Sequence, residues 1–108
     1  EEGYEATKKI LKKYPEIDGV LCASDLIAVG ALQAIRESGK KAGDDIGIAG
    51  VDDMWMDRFN ETPLTSAHLY FKECGLRAAK LLMEEINESK RMNQQVCLDF
   101  SIVDRGSL

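Results

Sequence analysis

Gly19-Val-Leu-Cys-Ala-Ser-Asp-Leu-Ile-Ala-Val-Gly-Ala-Leu-Gln-Ala-Ile-Arg-Glu-Ser-Gly39, followed by Ile46-Gly-Ile-Ala-Gly-Val-Asp-Asp53, is the part of this 108-residue chain that decides its fold. Ile17 to Ala23 is a short apolar run, bounded by Asp18-Gly19 and Ser24, of the kind that forms a strand covered on both faces. Ser24 or Asp25 then caps a helix over about Asp25 to Ser38, since an oxygen there accepts the free N–H groups of the first turn. Gly39 suits the left-handed position that closes helices. After the polar turn Lys40 to Asp45, Ile46 to Val51 reads as a second buried strand ending at Asp52-Asp53. Strand, helix and strand so closely spaced form a parallel right-handed crossover. In open parallel sheets, ligands bind beyond the carboxyl ends of the strands, where Ser24, Asp25, Asp52 and Asp53 collect.

Outward from that unit, Tyr4, Thr7, Ile10, Leu11 and Tyr14 lie at helical spacing until Pro15 stops the helix. Residues 54–63 read as an ordered loop rich in large apolar groups, and Leu64 to Leu69 as a short strand. From Tyr70 to about Glu88, Phe71, Cys74, Ala78, Leu82 and Ile86 make a wide apolar stripe that implies heavy burial. A polar turn over 87–93 precedes one or two closing strands in Val96 to Val103. The fold class is α/β with a parallel sheet. The chain opens on a helix with no strand before it, and two buried parallel strands make no adequate sheet by themselves, so it is expected to be a fragment of a larger core.

Composition narrows the function. Hydrophobic residues make up 44% of the chain, and no apolar run approaches a membrane span, so no membrane partner is expected. Nineteen acidic against fourteen basic residues give a net charge of −5 and leave no basic stripe for a phosphate backbone. Cys22, Cys74 and Cys97 are odd in number and widely spaced; they argue against a disulfide framework, are expected buried, and favour a cytoplasmic location. The single histidine, His68, has no second ligand motif beside it, so neither a metal nor a cofactor is expected. Gly47-x-x-Gly50 lacks the order of a dinucleotide fingerprint, and Cys22-Ala-Ser-Asp-Leu lacks the glycines of a nucleophile elbow.

Asp52-Asp53 remains as a pair that could bind a metal, work as acid and base, or accept hydrogen bonds from ligand hydroxyls. Neighbouring strand residues point to opposite faces, which favours hydroxyl recognition by one of them and a turn-capping role for Asp53. Ser24 could bond a ligand, while Asp25 reads as a helix cap. Leu26 and Val29 fall among the polar positions of their helix, either as scattered exposed aliphatics or as a subunit interface.

The ordered set Pro15-Glu-Ile-Asp-Gly-Val-Leu-Cys-Ala-Ser-Asp25, Ala28-Val-Gly-Ala-Leu32, Asp44-Asp-Ile-Gly-Ile-Ala-Gly-Val-Asp-Asp53, Pro63-Leu-Thr-Ser66 and Val103-Asp-Arg-Gly-Ser107 resembles the LacI/GalR family of transcriptional repressors over essentially the whole chain. The resemblance implies a bilobed core like that of periplasmic sugar-binding proteins, with effector in the cleft. Residues 1–66 and 94–108 would belong to the C-terminal lobe, and the helix at 70–89 would pack on the N-terminal lobe. It further implies an effector site of Asp52, Ser24, Phe71 and Leu69. Ser24 stands where a contacting asparagine is frequent, and Leu69 where many members have glutamine. Leu26 and Val29 would lie at the interface of a homodimer. The expected function is therefore an effector-sensing, dimerising part of a repressor that responds to a sugar-like molecule and reaches DNA only through a helix-turn-helix absent from this chain. No catalysis is expected. The alternative is an extracytoplasmic sugar-binding protein of a transporter.

Overall fold

Three strands run parallel because each is returned to the same end of the sheet by the segment between them. In the computed structural model, which describes residues 1–87 and 93–108, β1 (Gly19–Leu21) pairs with β2 (Gly47–Val51) in the register Gly19↔Gly47 to Leu21↔Ala49. β2 pairs in turn with β3 (Thr65–Leu69), Ala49 opposite Thr65 and Val51 opposite Ala67. β4 (Phe100–Val103) completes the order β1-β2-β3-β4. Thr65, at the start of β3, meets Asp104 and Arg105 just past the end of β4, so β4 runs against β3. The chain divides into two compact units, Glu1–His68 with Ser101–Leu108, and Leu69–Phe100.

In the first unit, α1 (Glu2–Lys13) and α2 (Asp25–Glu37) form the helical layer. Ser24 caps α2, its Oγ accepting the Ile27 N–H at 3.4 Å, and Gly39 closes it at φ 80°. Ala28, Ala31 and Ile35 of α2 are buried with Leu11, Cys22, Ile46, Ile48 and Leu64. Each fully buried isoleucine in that set removes enough apolar surface from water for about 1.5–3 kcal/mol. The small residues let the helices touch backbone to backbone: a Cβ on Gly3 would stand 2.2 Å from the Ile27 carbonyl oxygen, and one on Gly30 would stand 2.7 Å from the Tyr4 nitrogen.

The C-terminal residues stitch the sheet. Ser107 is fully buried; its carbonyl accepts the Ile48 N–H, its Oγ donates to the Ile48 carbonyl, and that same Oγ accepts the Thr65 N–H at 2.8 Å. One hydroxyl thus satisfies backbone groups of two strands that would be costly to bury unpaired.

Several expectations are corrected. β1 is shorter than Ile17 to Ala23 and lies at the sheet's edge with Leu21 79% exposed, so it is not covered on both faces: within this unit both helices lie on the Ile48 side. Residues 54–63 contain a 3-10 turn, Trp55–Phe59, started by the Asp57 N–H bonding to the Met54 carbonyl. α3 (Phe71–Asn87), described within the second unit, has no buried residue; the wide apolar stripe is present, but no layer in that unit covers it. Residues 93–99 are irregular, leaving β4 as the single closing strand among the described residues. Of the cysteines only Cys22 is buried, because Cys74 sits on the uncovered α3 and Cys97 in the irregular stretch. The polar turn expected over 87–93, and the last residues of the helix expected to reach 88 or 89, fall largely outside the described residues.

Gly3→Ala tests the helix contact, because propensity alone would favour alanine in a helix by up to about 1 kcal/mol. The backbone clash reverses that sign, and urea unfolding should show a loss of about 1–3 kcal/mol. A variant as stable as the parent would show that the helices do not touch at Gly3.

Candidate functional site

The parallel register places the ends of β1 and β2 side by side, so Ser24 and Asp52 both lie beyond the carboxyl edge of the sheet. There the chain leaves β2 in an unusual way. Asp52 and Asp53 both have positive φ, 115° and 51°, a conformation that non-glycine residues keep only when their surroundings fix it. Three successive N–H groups are fixed here. That of Asp52 donates to the Ala67 carbonyl at 2.9 Å, that of Asp53 to Ser66 Oγ at 3.0 Å, and that of Met54 to Asp25 Oδ2 at 2.9 Å. Both aspartates therefore stand past the strand, and the alternation of strand side chains does not govern where their carboxylates go.

Asp25 is fully buried and does not cap the helix it opens; Ser24 does that. Its Oδ1 accepts the Ser66 hydroxyl at 2.7 Å while Oδ2 takes the Met54 N–H, so one carboxylate joins α2, β3 and the turn after β2. Gly50 makes the space, since a Cβ there would lie 2.1 Å from Oδ1. The same charge reaches Cys22, whose thiol is pushed up first by burial and then by Asp25, so it stays protonated and inert.

Asp53 is likewise no turn cap. Its Oδ1 accepts Arg105 Nη2, and its Oδ2 lies 2.9 Å from His68 Nδ1. Arg105 is held in turn: Nη1 donates to the Leu64 carbonyl at 2.8 Å and its own N–H donates to Thr65 Oγ1 at 2.9 Å. Burial works to raise the Asp53 carboxyl, but the hydrogen bonds and charges of Arg105 and His68 outweigh it and hold the group below the ordinary carboxylate range.

Asp52 differs from its neighbour. It is half-buried, and among the described residues its carboxylate makes no hydrogen bond or ion pair. The Ser24 hydroxyl, accepting one long bond from Ile27, retains its own proton to donate. Leu69 and Phe71 belong to the second unit: Leu69 ends β3 half-buried, and Phe71 opens α3 in an exposed position. Leu26, 64% exposed, and Val29 lie on the outer side of α2. Beside Val29 is a groove of about 250 Å³, lined among others by Asn60 and by the ion-paired Arg36 and Glu61, 3.0 Å apart. The 3-10 turn preceding it carries an exposed edge-to-face pair, Trp55 and Phe59. No group of three or more metal-ligating side chains occurs among the described residues, and no described helix is long and apolar enough to cross a membrane.

The arrangement of a parallel sheet with polar groups gathered at its carboxyl edge matches a family model, the periplasmic binding protein-like domain, over residues 1–108. The chain belongs to that family. Over all 108 residues it is 37% identical to the HTH-type transcriptional repressor PurR of Pasteurella multocida (strain Pm70), and it spans 32% of that protein's length. Among solved structures, the transcriptional regulator CelR in complex with cellobiose superposes with a TM-score of 0.92 at 30% identity, over 97% of this chain and 32% of the other. The lac repressor dimer bound to operator and the anti-inducer ONPF gives a TM-score of 0.83 at 31% identity, over 97% and 32%. The chain thus spans about a third of the length of these relatives. It resembles the effector-binding part of LacI-family regulators in sequence and in structure.

This periplasmic binding protein-like domain contains functional residues that pattern reading did not single out. Ser66, Arg105 and Ser107 sit in plain view as polar residues near apolar runs, and only their burial identifies them as partners of Asp25, Asp53 and the sheet. An available signal was the closing Val103-Asp-Arg-Gly-Ser107, a polar cluster directly after a strand.

Asp53→Asn should cost about 1–3 kcal/mol at neutral pH, because Arg105 would keep a largely buried charge without its anion. The sign with pH follows from the lowered carboxyl: the stabilisation is full above the unfolded value of 3.8 and is lost as pH falls through the lower folded value. Urea unfolding of parent and variant at neutral and acid pH checks both points. Curves that stay equally far apart in strong acid would contradict the ion-pair origin.

Proposed function

We propose that this chain senses a small, hydroxyl-rich effector, a sugar or sugar derivative, as part of a LacI-type transcriptional repressor. The observation that carries the reading is the contrast between adjacent carboxylates: Asp53 is spent on Arg105 and His68, while Asp52 is held by its backbone with its oxygens unused. A half-buried carboxylate on a fixed backbone accepts ligand hydroxyls with little further ordering of the chain. Ser24 would donate a further bond from the same edge of the sheet. Phe71 would offer an apolar ring to the sugar's C–H face and Leu69 a purely apolar wall. The absence of an amide at Leu69 predicts an effector that differs from those needing a glutamine there.

Binding becomes regulation when the ligand favours one of two lobe arrangements and so shifts their populations. The apolar stripe of α3 would pack on the N-terminal lobe, with residues 1–66 and 94–108 forming the C-terminal one. Leu26 and Val29, extended by the exposed Trp55 and Phe59, would form the homodimer face. DNA would be reached through a helix-turn-helix outside these residues, in the cytoplasm, and the role is binding without catalysis. The transporter alternative is disfavoured because the relatives described above are named as transcriptional regulators.

Two experiments on the full-length protein test this. Thermal-shift screening with free mono- and disaccharides should find a ligand that also alters operator affinity, and Asp52→Ala should weaken it about 10-fold or more. A ligand bound equally well by Asp52→Ala would remove Asp52 from the site; one that binds without changing operator affinity would remove the repressor mechanism. Glutamate at both Leu26 and Val29 should shift the protein from dimer to monomer in sedimentation velocity, and an unchanged dimer would place the interface elsewhere.

A further inference from the structure

Asp57 has no part in effector binding as proposed above, yet it is fully buried in the 3-10 turn, and neither of its carboxylate oxygens has a hydrogen-bond donor among the described residues. An ionised carboxylate left without donors in such a place would cost several kcal/mol. The neighbouring acid is Asp25, also fully buried: the Met54 N–H bonds its Oδ2 while the Met54 carbonyl accepts the Asp57 N–H, so one residue ties the two acids together. Asp25 already has two donors, Ser66 Oγ–H and the Met54 N–H, and each of its oxygens has a lone pair to spare. Asp25 is thus equipped as the ionised acceptor. Asp57, with no donor of its own, is left as the protonated partner.

We infer that Asp57 carries a proton and donates it in a hydrogen bond to the Asp25 carboxylate, so that the buried pair holds a single negative charge and locks the 3-10 turn to α2 and β3. The pair gives a partner to one of the two carboxyl oxygens that Asp57 otherwise buries unpaired, and it removes the charge from the other. It also closes a continuous chain: Asp57 O–H to Asp25, Ser66 O–H to Asp25, and the Asp53 N–H to Ser66. The groups that face the pair are few. Burial acts first, then the hydrogen bond with Asp25 and after it the Asp25 charge, to push the Asp57 carboxyl up to about 7, while the Arg105 guanidinium works in the opposite direction. When the pH exceeds that value the proton leaves to water, two anions face each other out of solvent, and the turn loses its anchor. The device is built into the first unit and stands whether or not Asp52 binds an effector.

The test is a carbon-13 titration of the aspartate side-chain carboxyls in the full-length protein between about pH 5 and pH 9. One carboxyl is expected to titrate near 7, to be assigned to Asp57 through the backbone of the parent protein, and to vanish in Asp57→Asn, whose amide replaces the O–H as donor. Thermal melting supplies the linked readout. The folded state retains a proton that the unfolded state has already lost, so the melting temperature should fall as pH rises from about 4 towards 7, beyond any such fall in Asp57→Asn. Assignment in the parent keeps the question answerable if Asp57→Asn does not fold. Aspartates that all titrate below about pH 5, or a carboxyl titrating near neutrality that is not Asp57, would overturn the inference.

Discussion

A single buried carboxylate, Asp25, holds the carboxyl edge of this sheet together. Desolvating a charge is expensive, and the expense is offset only where donors are already in place. Here the donors are the Ser66 hydroxyl on β3 and the Met54 N–H in the turn after β2, with Gly50 leaving the room that a side chain would fill. Because Asp25 begins α2, the helix, the central strand and the turn cannot move independently without stranding an anion. The unusual backbone of Asp52 and Asp53 is a consequence: positive φ at two successive non-glycine residues persists because the N–H groups that follow it are bound.

From that constraint follows a division of labour between two residues that look alike in sequence. Asp53 faces Arg105 and His68 and becomes structural, its charge matched within the domain. Asp52 is turned away from those partners and keeps its lone pairs. Under the proposed function, this edge would offer a hydroxyl-bearing ligand one unpaired carboxylate and a serine donor, and no group of three or more metal-ligating side chains occurs among the described residues. Recognition of that kind would suit a sensor, which must release its ligand as readily as it closes on it.

Much of this architecture was legible before any coordinates. The crossover from Gly19 to Val51 was readable because buried strands and an amphipathic helix have different periods, and because Ser24 and Gly39 mark the helix ends by plain stereochemistry. The ordered family motifs pointed to the same fold. What stayed hidden depended on contacts distant in sequence. Nothing local says that Asp25 is a junction instead of a cap, since its partners lie 29 and 41 residues away. Nothing local separates Asp52 from Asp53 either, because the separation comes from Arg105, 52 residues beyond. The stripe on α3 is visible in the sequence, but periodicity reports which side is apolar and not what covers it. Small residues at Gly3 and Gly30 hid a helix contact for a related reason: their signal is an absence of side chain, which pattern counting passes over.

The turn bearing Asp52 is part of the folded core and not a surface loop. Amide hydrogen exchange at Asp53 and Met54 measures this directly, since both N–H groups end on the Asp25–Ser66 junction. If the junction holds the turn, these two amides exchange with the slow rates of β2 and β3, and opening them requires unfolding of the unit. Exchange at the rate of a free loop, with β2 still protected, would mean that the junction does not hold the turn and would leave Asp52 without the fixed geometry on which its role depends.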